Sequence, residues 1–356
     1  MCFLYFSNTI LSMRKLLVIL PAVLAICFIS AQTIPQLDKQ RIHLPNGWSL
    51  TPVGKNLQLG DLPLNIAVSP SRKLIAVTNN GQSTQSLQLI DARREKIIST
   101  IEIPASWYGL AFSADEKYLY ASGGNDNQIV KYSVRNRELA FEDTIVLGKP
   151  WPEKISPAGI AIDDVLERLY VVTKENNSLY VIDLATKKIL KRLPLGGEGF
   201  SCMLSADRRS LYISCWGCDR VLLYDTQQQQ FSGSINVGDN PNEMCISKNG
   251  NLLYVCNAND NSVSVIDLRT QRVIETLNGA LYPASPSGST SNGVALSDDG
   301  KTLYIANADN NCLAVFDVTT EGKSVSKGFI PVGWFPTNVK VIGKKIWVTN
   351  GKGFSS

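Results

Sequence analysis

Histidine is almost absent from this chain, because only His43 occurs among the 356 residues. Haem, copper and most catalytic zinc sites use several histidines, so we predict no cofactor and no metal site. The formal net charge is only +4, and Lys and Arg are spread along the chain without a block of one sign. The sequence therefore lacks the cluster of basic residues expected of a nucleic-acid-binding protein, and we predict no nucleic-acid binding.

After the N-terminal apolar run, no long stretch of the chain repeats its apolar residues every 3.6 positions, as an amphipathic helix would. Short runs rich in Val, Ile, Leu and Tyr alternate instead with turns of Gly, Asn, Asp or Lys. The pairs at 249–250 (NG) and 299–300 (DG) accept the positive φ of tight hairpins. These features predict an all-β protein.

The N-terminus has the composition of an export signal. A basic stretch beginning at Met13 precedes an apolar run over 16–29, and small residues follow it up to Ala31. We predict a secretory signal peptide over 1–31, with Met13 as an alternative start and cleavage after Ala31. The run is short for a membrane span, and Ile before Cys27 fits a lipoprotein signal poorly. We expect a periplasmic or extracellular protein that is neither lipid-anchored nor transmembrane after cleavage.

The rest of the chain repeats at about 42 to 50 residues, the spacing of propeller blades. The clearest unit, 242–277, contains four short strand patterns, and 292–318 repeats most of it. Counting second strands gives seven copies. Blades packed radially bury both faces of each sheet. We therefore predict a single domain over 42–356, a seven-bladed β-propeller of four-stranded antiparallel blades.

The two ends of the repeat region suggest how the ring closes. The last copy, 337–350, contains only its first two strands, and 42–59 precedes the first full copy. Propellers often pair strands from both termini in one blade, since this leaves no open edge. We expect N-terminal strands to complete the last blade.

Three second strands carry a family resemblance. Residues 254–257 (YVCN), 304–307 (YIAN) and 347–350 (WVTN) resemble the repeat that names the YVTN β-propellers, a lactonase-like group. The resemblance covers about residues 60 to 353 and implies the propeller fold.

A narrower resemblance is to exported bacterial proteins that join such a propeller to an alkaline-phosphatase-like phosphoesterase domain. It rests on 60–63 (GDLP), 79–83 (NNGQS) and 350–353 (NGKG). In that family the phosphoesterase follows the last segment, so the resemblance implies either a truncated chain or a stand-alone relative. As part of a longer protein, the chain would belong to a metal-dependent phosphoesterase. None of that domain's Asp/His metal motifs occurs here, and no catalytic residue is carried over.

Six cysteines follow the predicted cleavage site, and two of them form a CxxC pair at Cys215 and Cys218. No second CxxC and no nearby His accompany the pair, which argues against redox or metal chemistry. A structural disulfide and two unpaired thiols are the open interpretations. The other four lie on predicted strands, where a free Cys acts as a small apolar residue.

Strand ends define the candidate ligand-binding face. In a propeller, first-strand starts and second-strand ends reach the same face near the channel. Amide and aromatic groups at these positions suit a neutral polar ligand, such as a sugar, or a protein loop. Asn can also cap a turn with its own side chain, so a structural role is the alternative at each position. The candidates are Asn65, Asn79, Asn80, Trp107, Tyr108, Asn125, Lys174, Phe200, Trp216, Asn242, Glu243, Asn257, Asn292, Asn307, Trp334, Asn338 and Asn350.

The sequence thus favours a binding or scaffold module that docks a phosphoesterase domain, another protein or a carbohydrate. We predict no catalytic residue for this chain alone. The alternative is a hydrolase resembling lactonase propellers, for which Glu243, Glu198 and Lys174 are the nearest candidates. A haem- or quinone-bearing redox propeller is disfavoured by the single His and by the lack of a CxxCH segment.

Overall fold

The structure, a computed structural model, describes residues 41–44, 47, 49–282 and 284–353. The predicted signal peptide lies outside the described residues. Within the described part, no helix has the length and apolar character needed to cross a membrane. From Ile42 onward the chain forms one compact unit built of β-strands.

A short hairpin comes first and is followed by three four-stranded blades. The hairpin consists of β1 (Ile42–His43) and β2 (Ser49–Leu50). The first blade contains β3 (Pro63–Val68), β4 (Leu74–Asn79), β5 (Ser86–Asp91) and β6 (Lys96–Glu102). The second contains β7 (Leu110–Phe112), β8 (Tyr118–Ser122), β9 (Gln128–Arg135) and β10 (Glu138–Val146), with a 3-10 helix at Gly124–Asp126. The third contains β11 (Pro157–Asp163), β12 (Arg168–Thr173), β13 (Ser178–Asp183) and β14 (Ile189–Pro194).

Three further blades and a two-stranded sheet follow. The fourth blade contains β15 (Gly199–Leu204), β16 (Ser210–Cys215), β17 (Arg220–Asp225) and β18 (Gln230–Asn236). The fifth contains β19 (Pro241–Ile246), β20 (Leu252–Asn257), β21 (Ser262–Asp267) and β22 (Arg272–Asn278). The sixth contains β23 (Ser291–Leu296), β24 (Thr302–Asn307), β25 (Cys312–Asp317) and β26 (Val325–Pro331). The last sheet contains β27 (Pro336–Ile342) and β28 (Lys345–Asn350).

The all-β propeller with four-stranded antiparallel blades is confirmed, but the predicted blade count is wrong. The structure has six four-stranded blades, and the last repeat forms only a two-stranded sheet. Strands β1 and β2 pair with each other instead of extending β28. A turn at Gly47, with φ of 83°, favours this local pairing. Pro52 then follows without a backbone N–H to donate to a sheet ladder.

The two-stranded sheet fills the place between the sixth and first blades. Thr337 on β27 donates its hydroxyl hydrogen to the carbonyl of Pro63, with 2.6 Å between the oxygens. On its other side, a Cβ on Gly293 would lie only 2.9 Å from the Cα of Asn338, so β23 and β27 are in close contact. The inner strands therefore form a closed ring although the last sheet lacks outer strands.

The hydrophobic core consists of layers between neighbouring sheets. Tyr254 and Ile305 pack in one layer between the fifth and sixth blades, and Leu87 and Leu119 pack in another between the first and second. Trp347 contributes to the layer between β28 and the first blade. Each fully buried aliphatic side chain stabilises such a layer by about 1.5–3 kcal/mol. This layered packing holds the strand ends that form the candidate site.

Candidate ligand-binding face

Asparagine side chains at the starts of several inner strands are hydrogen-bonded to the neighbouring sheets. Asn338 Nδ2 donates to Asn65 Oδ1 at 2.9 Å, and Asn65 Nδ2 donates to the carbonyl of Tyr108 at 2.6 Å. Further around the ring, Asn242 Nδ2 donates to Asn292 Oδ1 at 3.4 Å. These amides connect successive sheets by hydrogen bonds across the inner strands.

Register shifts in the strand pairing change the direction in which these amide side chains point. The pairing of β3 with β4 shifts between Pro63 and Asn65, and the pairing of β27 with β28 shifts between Pro336 and Asn338. Such irregularities turn a side chain out of the regular alternation of a strand. Asn65 and Asn338 are buried, and so is Asn242, whereas Asn292 is half-buried. The buried amides therefore act mainly between strands.

Glu243 is buried on β19 and forms an ion pair with Lys340 of β27. Lys340 was missed by the sequence analysis. The signal that could have found it is alternation, since Lys340 lies two residues after Asn338 and points to the same side of the strand. The pair leaves Glu243 engaged with a partner within the protein, which weakens its candidacy as a catalytic base.

Asn257 shows what an asparagine does at the end of a second strand. Its side chain is 0% exposed, and Nδ2 donates to the hydroxyls of Ser262 and Ser264, each at 2.9 Å. Its Oδ1 accepts the backbone N–H of Gly238 at 3.2 Å. A Cβ on Gly238 would lie 2.6 Å from the amide carbon of Asn257, so only glycine fits there. Asn257 therefore links neighbouring segments of its blade by hydrogen bonds and has no exposed surface for a ligand.

Three other predicted asparagines also lie at the ends of second strands. Asn79 is buried and donates to Ser86 and Gln88, and Asn307 is buried and donates to the carbonyl of Gly279 at 2.6 Å. Asn350 is half-buried against a glycine, Gly333. Asn79 and Asn307, like Asn257, do not reach the surface, so the structural alternative applies to them.

Trp107, Lys174, Phe200 and Trp216 come together on the second, third and fourth blades, and we call them the tryptophan–lysine surface. The Lys174 ammonium lies 5.8 Å from the centroid of the Trp107 ring and 6.0 Å from that of Trp216. The Phe200 ring lies 4.6 Å from the buried ring of Tyr108, between centroids. All four members are half-buried, so they offer aromatic area and one cation to solvent.

Trp107 is positioned by Asn80 at the end of the first blade. Asn80 Nδ2 donates to the Ser106 hydroxyl at 2.9 Å and to the carbonyl of Trp107 at 3.2 Å. Asn80 is itself only 8% exposed. The predicted contact residue therefore lies beneath the surface and holds the loop that presents the indole.

Trp216 is positioned by a disulfide between Cys215 and Cys218, so the structural-pair interpretation of the CxxC segment is the one the structure shows. Asn240 Nδ2 also donates to the carbonyl of Trp216 at 2.9 Å. A four-residue loop closed at both ends restricts the backbone that carries the indole. The sequence analysis did not single out Asn240.

Glu198 borders the tryptophan–lysine surface. Its side chain runs along Gly217, where a Cβ would lie 3.4 Å from that of Glu198. Gly199 packs against Val172 and the carbonyl of Thr173, which places Glu198 beside the strand end that carries Lys174. Glu198 Oε2 is buried and has no hydrogen-bond partner among the described residues. A buried acceptor without a donor is unusual and calls for a partner.

The remaining predicted contacts are Asn125 and Trp334. Asn125 is exposed and accepts a hydrogen bond from the Ser156 hydroxyl at 3.2 Å. Trp334 is half-buried, and the Lys352 ammonium lies 5.5 Å from its ring centroid and 4.4 Å from that of Phe335. The face thus carries a second, smaller pairing of a lysine with aromatic rings.

The free cysteines of the described part of the chain are poorly suited to nucleophilic chemistry. Cys202, Cys256 and Cys312 are buried thiols, and burial raises the pKa of Cys312 to about 11 and that of half-buried Cys245 to about 12. A thiol with a raised pKa is protonated at neutral pH and is a poor nucleophile. No three His, Cys, Asp or Glu side chains of the described residues cluster as a metal site would require.

Two open clefts are lined by none of the predicted contact residues. One has a volume of about 490 Å³ and is lined by 81–85 together with 102–104. The other, of about 360 Å³, is lined by Asn, Ser, Thr and Asp side chains of 260–262, 276–278 and 285–287. Neither contains a residue of the tryptophan–lysine surface.

A family model described as a YNCE-like beta-propeller matches residues 30–344. This chain belongs to the YncE-like β-propeller family. Two relatives named "Uncharacterized protein YncE", from Salmonella typhi and Salmonella typhimurium, are each 34% identical to it over 134 residues. The matches cover 36% of this chain and 37% of each relative, so they span little more than a third of those proteins.

Solved propellers of distant sequence share the fold. Kuenenia stuttgartiensis hydrazine synthase is 16% identical with a TM-score of 0.64, covering 83% of this chain and 95% of that one. The RRP9 WD40 repeats are 15% identical with a TM-score of 0.65, covering 80% of this chain and 85% of that one. Such likeness shows architecture alone. The comparisons give no support to the predicted resemblance to propeller–phosphoesterase proteins.

Proposed function

We propose that this protein is a binding module and that its ligand, a carbohydrate, contacts the tryptophan–lysine surface. The observation that carries the proposal is the pair of half-buried tryptophans beside one lysine, at the face where inner strands begin. Indole rings offer flat apolar area for the C–H face of a sugar, and their polar edge tolerates water. A hydrogen bond from Asn80 fixes the Trp107 loop and the disulfide fixes the Trp216 loop before a ligand binds, so less conformational entropy is lost on binding.

Within this proposal, the exposure of each predicted residue decides whether it contacts the ligand or supports the surface. Half-buried Asn292 and Trp334 and exposed Asn125 retain surface for a long ligand that extends across the face. The buried strand-end and inner-ring amides support the surface from below. A protein loop is the second ligand class that suits aromatic and amide groups. A docked phosphoesterase domain has no support from the comparisons and is not part of this proposal.

The site of action in this proposal is outside the cytoplasm. It follows from the predicted signal peptide, whose basic start, apolar run and small-residue end are features of exported proteins. Extracellular and periplasmic spaces are oxidising, which suits a disulfide that holds a binding loop.

Removal of the two indoles tests the proposal. Purified protein would be screened against immobilised glycans, and the best binder would be measured by isothermal titration calorimetry. We expect the double variant Trp107→Ala, Trp216→Ala to bind at least about tenfold more weakly, as for hot-spot aromatics. Trp151→Ala is the matched control, because Trp151 is 63% exposed in another loop and also carries a lysine over its ring. Equal losses in both variants would contradict the assigned surface.

A lactonase-like hydrolase is the second candidate, and one observation favours it. The unpartnered Glu198 oxygen could accept a proton, whereas Glu243 is engaged by Lys340. Turnover of sugar lactones by the purified protein, lost in Glu198→Gln, would establish this candidate. The binding proposal expects no turnover in either protein.

A further inference from the structure

We infer that the cleft beside the loop 279–290 docks a basic segment of a partner protein. A lysine or arginine of that segment pairs with Asp260, and an apolar neighbour of that cation covers Leu281 and Tyr282. The inference goes beyond the proposed function, because it concerns the fifth and sixth blades and uses no residue of the tryptophan–lysine surface. The construction of the cleft, its charge and an exposed apolar pair at its border carry the argument.

A buried asparagine holds one wall of the cleft in place. Asn261 is 4% exposed, and its Nδ2 donates to the carbonyl of Pro286 at 2.7 Å. Its Oδ1 accepts the backbone N–H of Gly288 at 2.9 Å. Ser285 of the same loop lines the cleft together with Asp260, and the enclosed volume is about 360 Å³. A wall that is fixed before binding reduces the entropy lost when a partner docks.

The cleft and its borders carry negative charge. Exposed Asp260 lines the cleft, and its Oδ2 accepts the uncharged backbone N–H of Asp239 at 2.6 Å. At the end of the same loop, exposed Asp309 accepts the hydroxyl hydrogen of Thr290. No lysine or arginine occurs in the four neighbouring loops, 237–240, 258–261, 279–290 and 308–311. Uncharged donors leave these carboxylate charges uncompensated, so the complementary partner is cationic.

Two consecutive apolar side chains border the cleft. Leu281 is 46% exposed and Tyr282 is 59% exposed. The Tyr282 carbonyl accepts the backbone N–H of Ser285 at 3.1 Å, so this turn places the pair next to a residue that lines the cleft. Apolar side chains rimmed by polar ones are a feature of surfaces at which proteins contact each other. The phenol ring also offers a face on which a guanidinium group can stack.

Charge and apolar area together select the occupant. An anionic partner would meet Asp260 and Asp309 at a cost in like-charge repulsion. A neutral sugar would leave both carboxylates unpaired, and no three acidic side chains of the described residues cluster as a metal ion would require. A polyamine supplies cations but no side chain for the apolar pair. A protein segment with an apolar residue beside a lysine or arginine supplies both.

An array of defined peptides tests the inference. Ten-residue peptides that alternate Arg, Lys, Glu or Ser with Leu or Ser would be probed with the full chain, and the tightest would be titrated by fluorescence anisotropy. We expect that peptide to alternate Arg or Lys with Leu. Asp260→Asn should weaken its binding at least about tenfold, in the range of a charged hydrogen bond. The amide oxygen still accepts the N–H of Asp239, so this variant should fold.

Two further variants and one control locate the peptide. Leu281→Ser, Tyr282→Ser should weaken binding at least about fivefold, and the fold should persist because both side chains are exposed. Glu175→Gln is the matched control, because Glu175 is an exposed carboxylate in the loop after β12. It should change the affinity less than about twofold. Trp107→Ala, Trp216→Ala should also preserve peptide binding.

Several outcomes would overturn the inference. Acidic or uncharged peptides as the tightest ligands, or no peptide binding at all, would remove the basic partner. Equal losses in Asp260→Asn and Glu175→Gln would show attraction to the whole face and not to the cleft. Spermidine that binds as tightly as the best peptide would make the ligand a small cation. Loss of peptide binding in Trp107→Ala, Trp216→Ala would move the peptide to the tryptophan–lysine surface, whereas failure to bind glycans would overturn only the proposed function.

Discussion

Asparagine side chains at strand ends have two roles in this protein, and depth decides between them. Asn257, the last residue of β20, is fully buried and bonded inside its blade, whereas Asn125 lies in the 3-10 helix that follows β8 and is exposed. The sequence pattern placed both at second-strand ends. It could not give their depth, because depth depends on how closely the next loop packs, as Gly238 does on Asn257.

Substitution of Asn257 tests the structural role. We expect Asn257→Ala to lower the free energy of unfolding by about 1–3 kcal/mol, because Ser262, Ser264 and Gly238 lose a buried partner. Urea denaturation followed by intrinsic fluorescence measures the change. Asn125→Ala is the control and should shift stability by less than about 0.5 kcal/mol. A neutral Asn257→Ala would show that this hydrogen-bond group contributes little.

At the scale of elements, the short strands were well predicted where apolar alternation and turn residues agree. The structure places β20 at Leu252–Asn257 and β24 at Thr302–Asn307, close to the predicted second strands. The N-terminal segment was predicted less well, because its apolar residues are interrupted by Pro52 and Gly54. Local hairpin pairing prevails when a segment is too irregular to extend a distant sheet edge.

The disulfide loop that carries Trp216 gives a prediction at this scale. Replacing both Cys215 and Cys218 by Ser removes closure of a four-residue loop, which lowers the free energy of unfolding by about 2 kcal/mol at most. We expect glycan affinity to fall while the fold persists, since the loop has to be ordered on binding. Titration calorimetry and circular dichroism of the double variant measure both effects. Unchanged affinity would show that Asn240 alone positions the indole.

For the whole molecule, recurrence of one motif was enough to predict a propeller. Every interblade layer uses the same pattern, so a regular repeat implies radial stacking. The number of four-stranded blades was overestimated, because counting second strands counts inner hairpins and not complete sheets. The clustering of Trp107, Lys174 and Trp216 could not be predicted from the sequence, because it depends on the geometry of three separate blades.

The buried tyrosines around the ring predict a loss of stability at high pH. Burial raises the pKa of Tyr120, Tyr132 and Tyr224 to about 12, whereas an unfolded chain releases these protons near pH 10. A raised pKa in the folded state means that stability is fully present below pH 10 and is lost as the pH rises towards 12. Urea midpoints should therefore fall between pH 10 and pH 12. A flat profile would contradict burial of these phenols, and Tyr120→Phe should reduce the slope.

The most direct test of a binding face on this propeller is a crystal structure with the tightest glycan found in the screen. The account predicts a sugar ring in contact with Trp107 or Trp216, with a ligand oxygen within hydrogen-bond distance of Lys174. A glycan bound only in the cleft at 81–85 and 102–104, or on the opposite end of the ring, would contradict it.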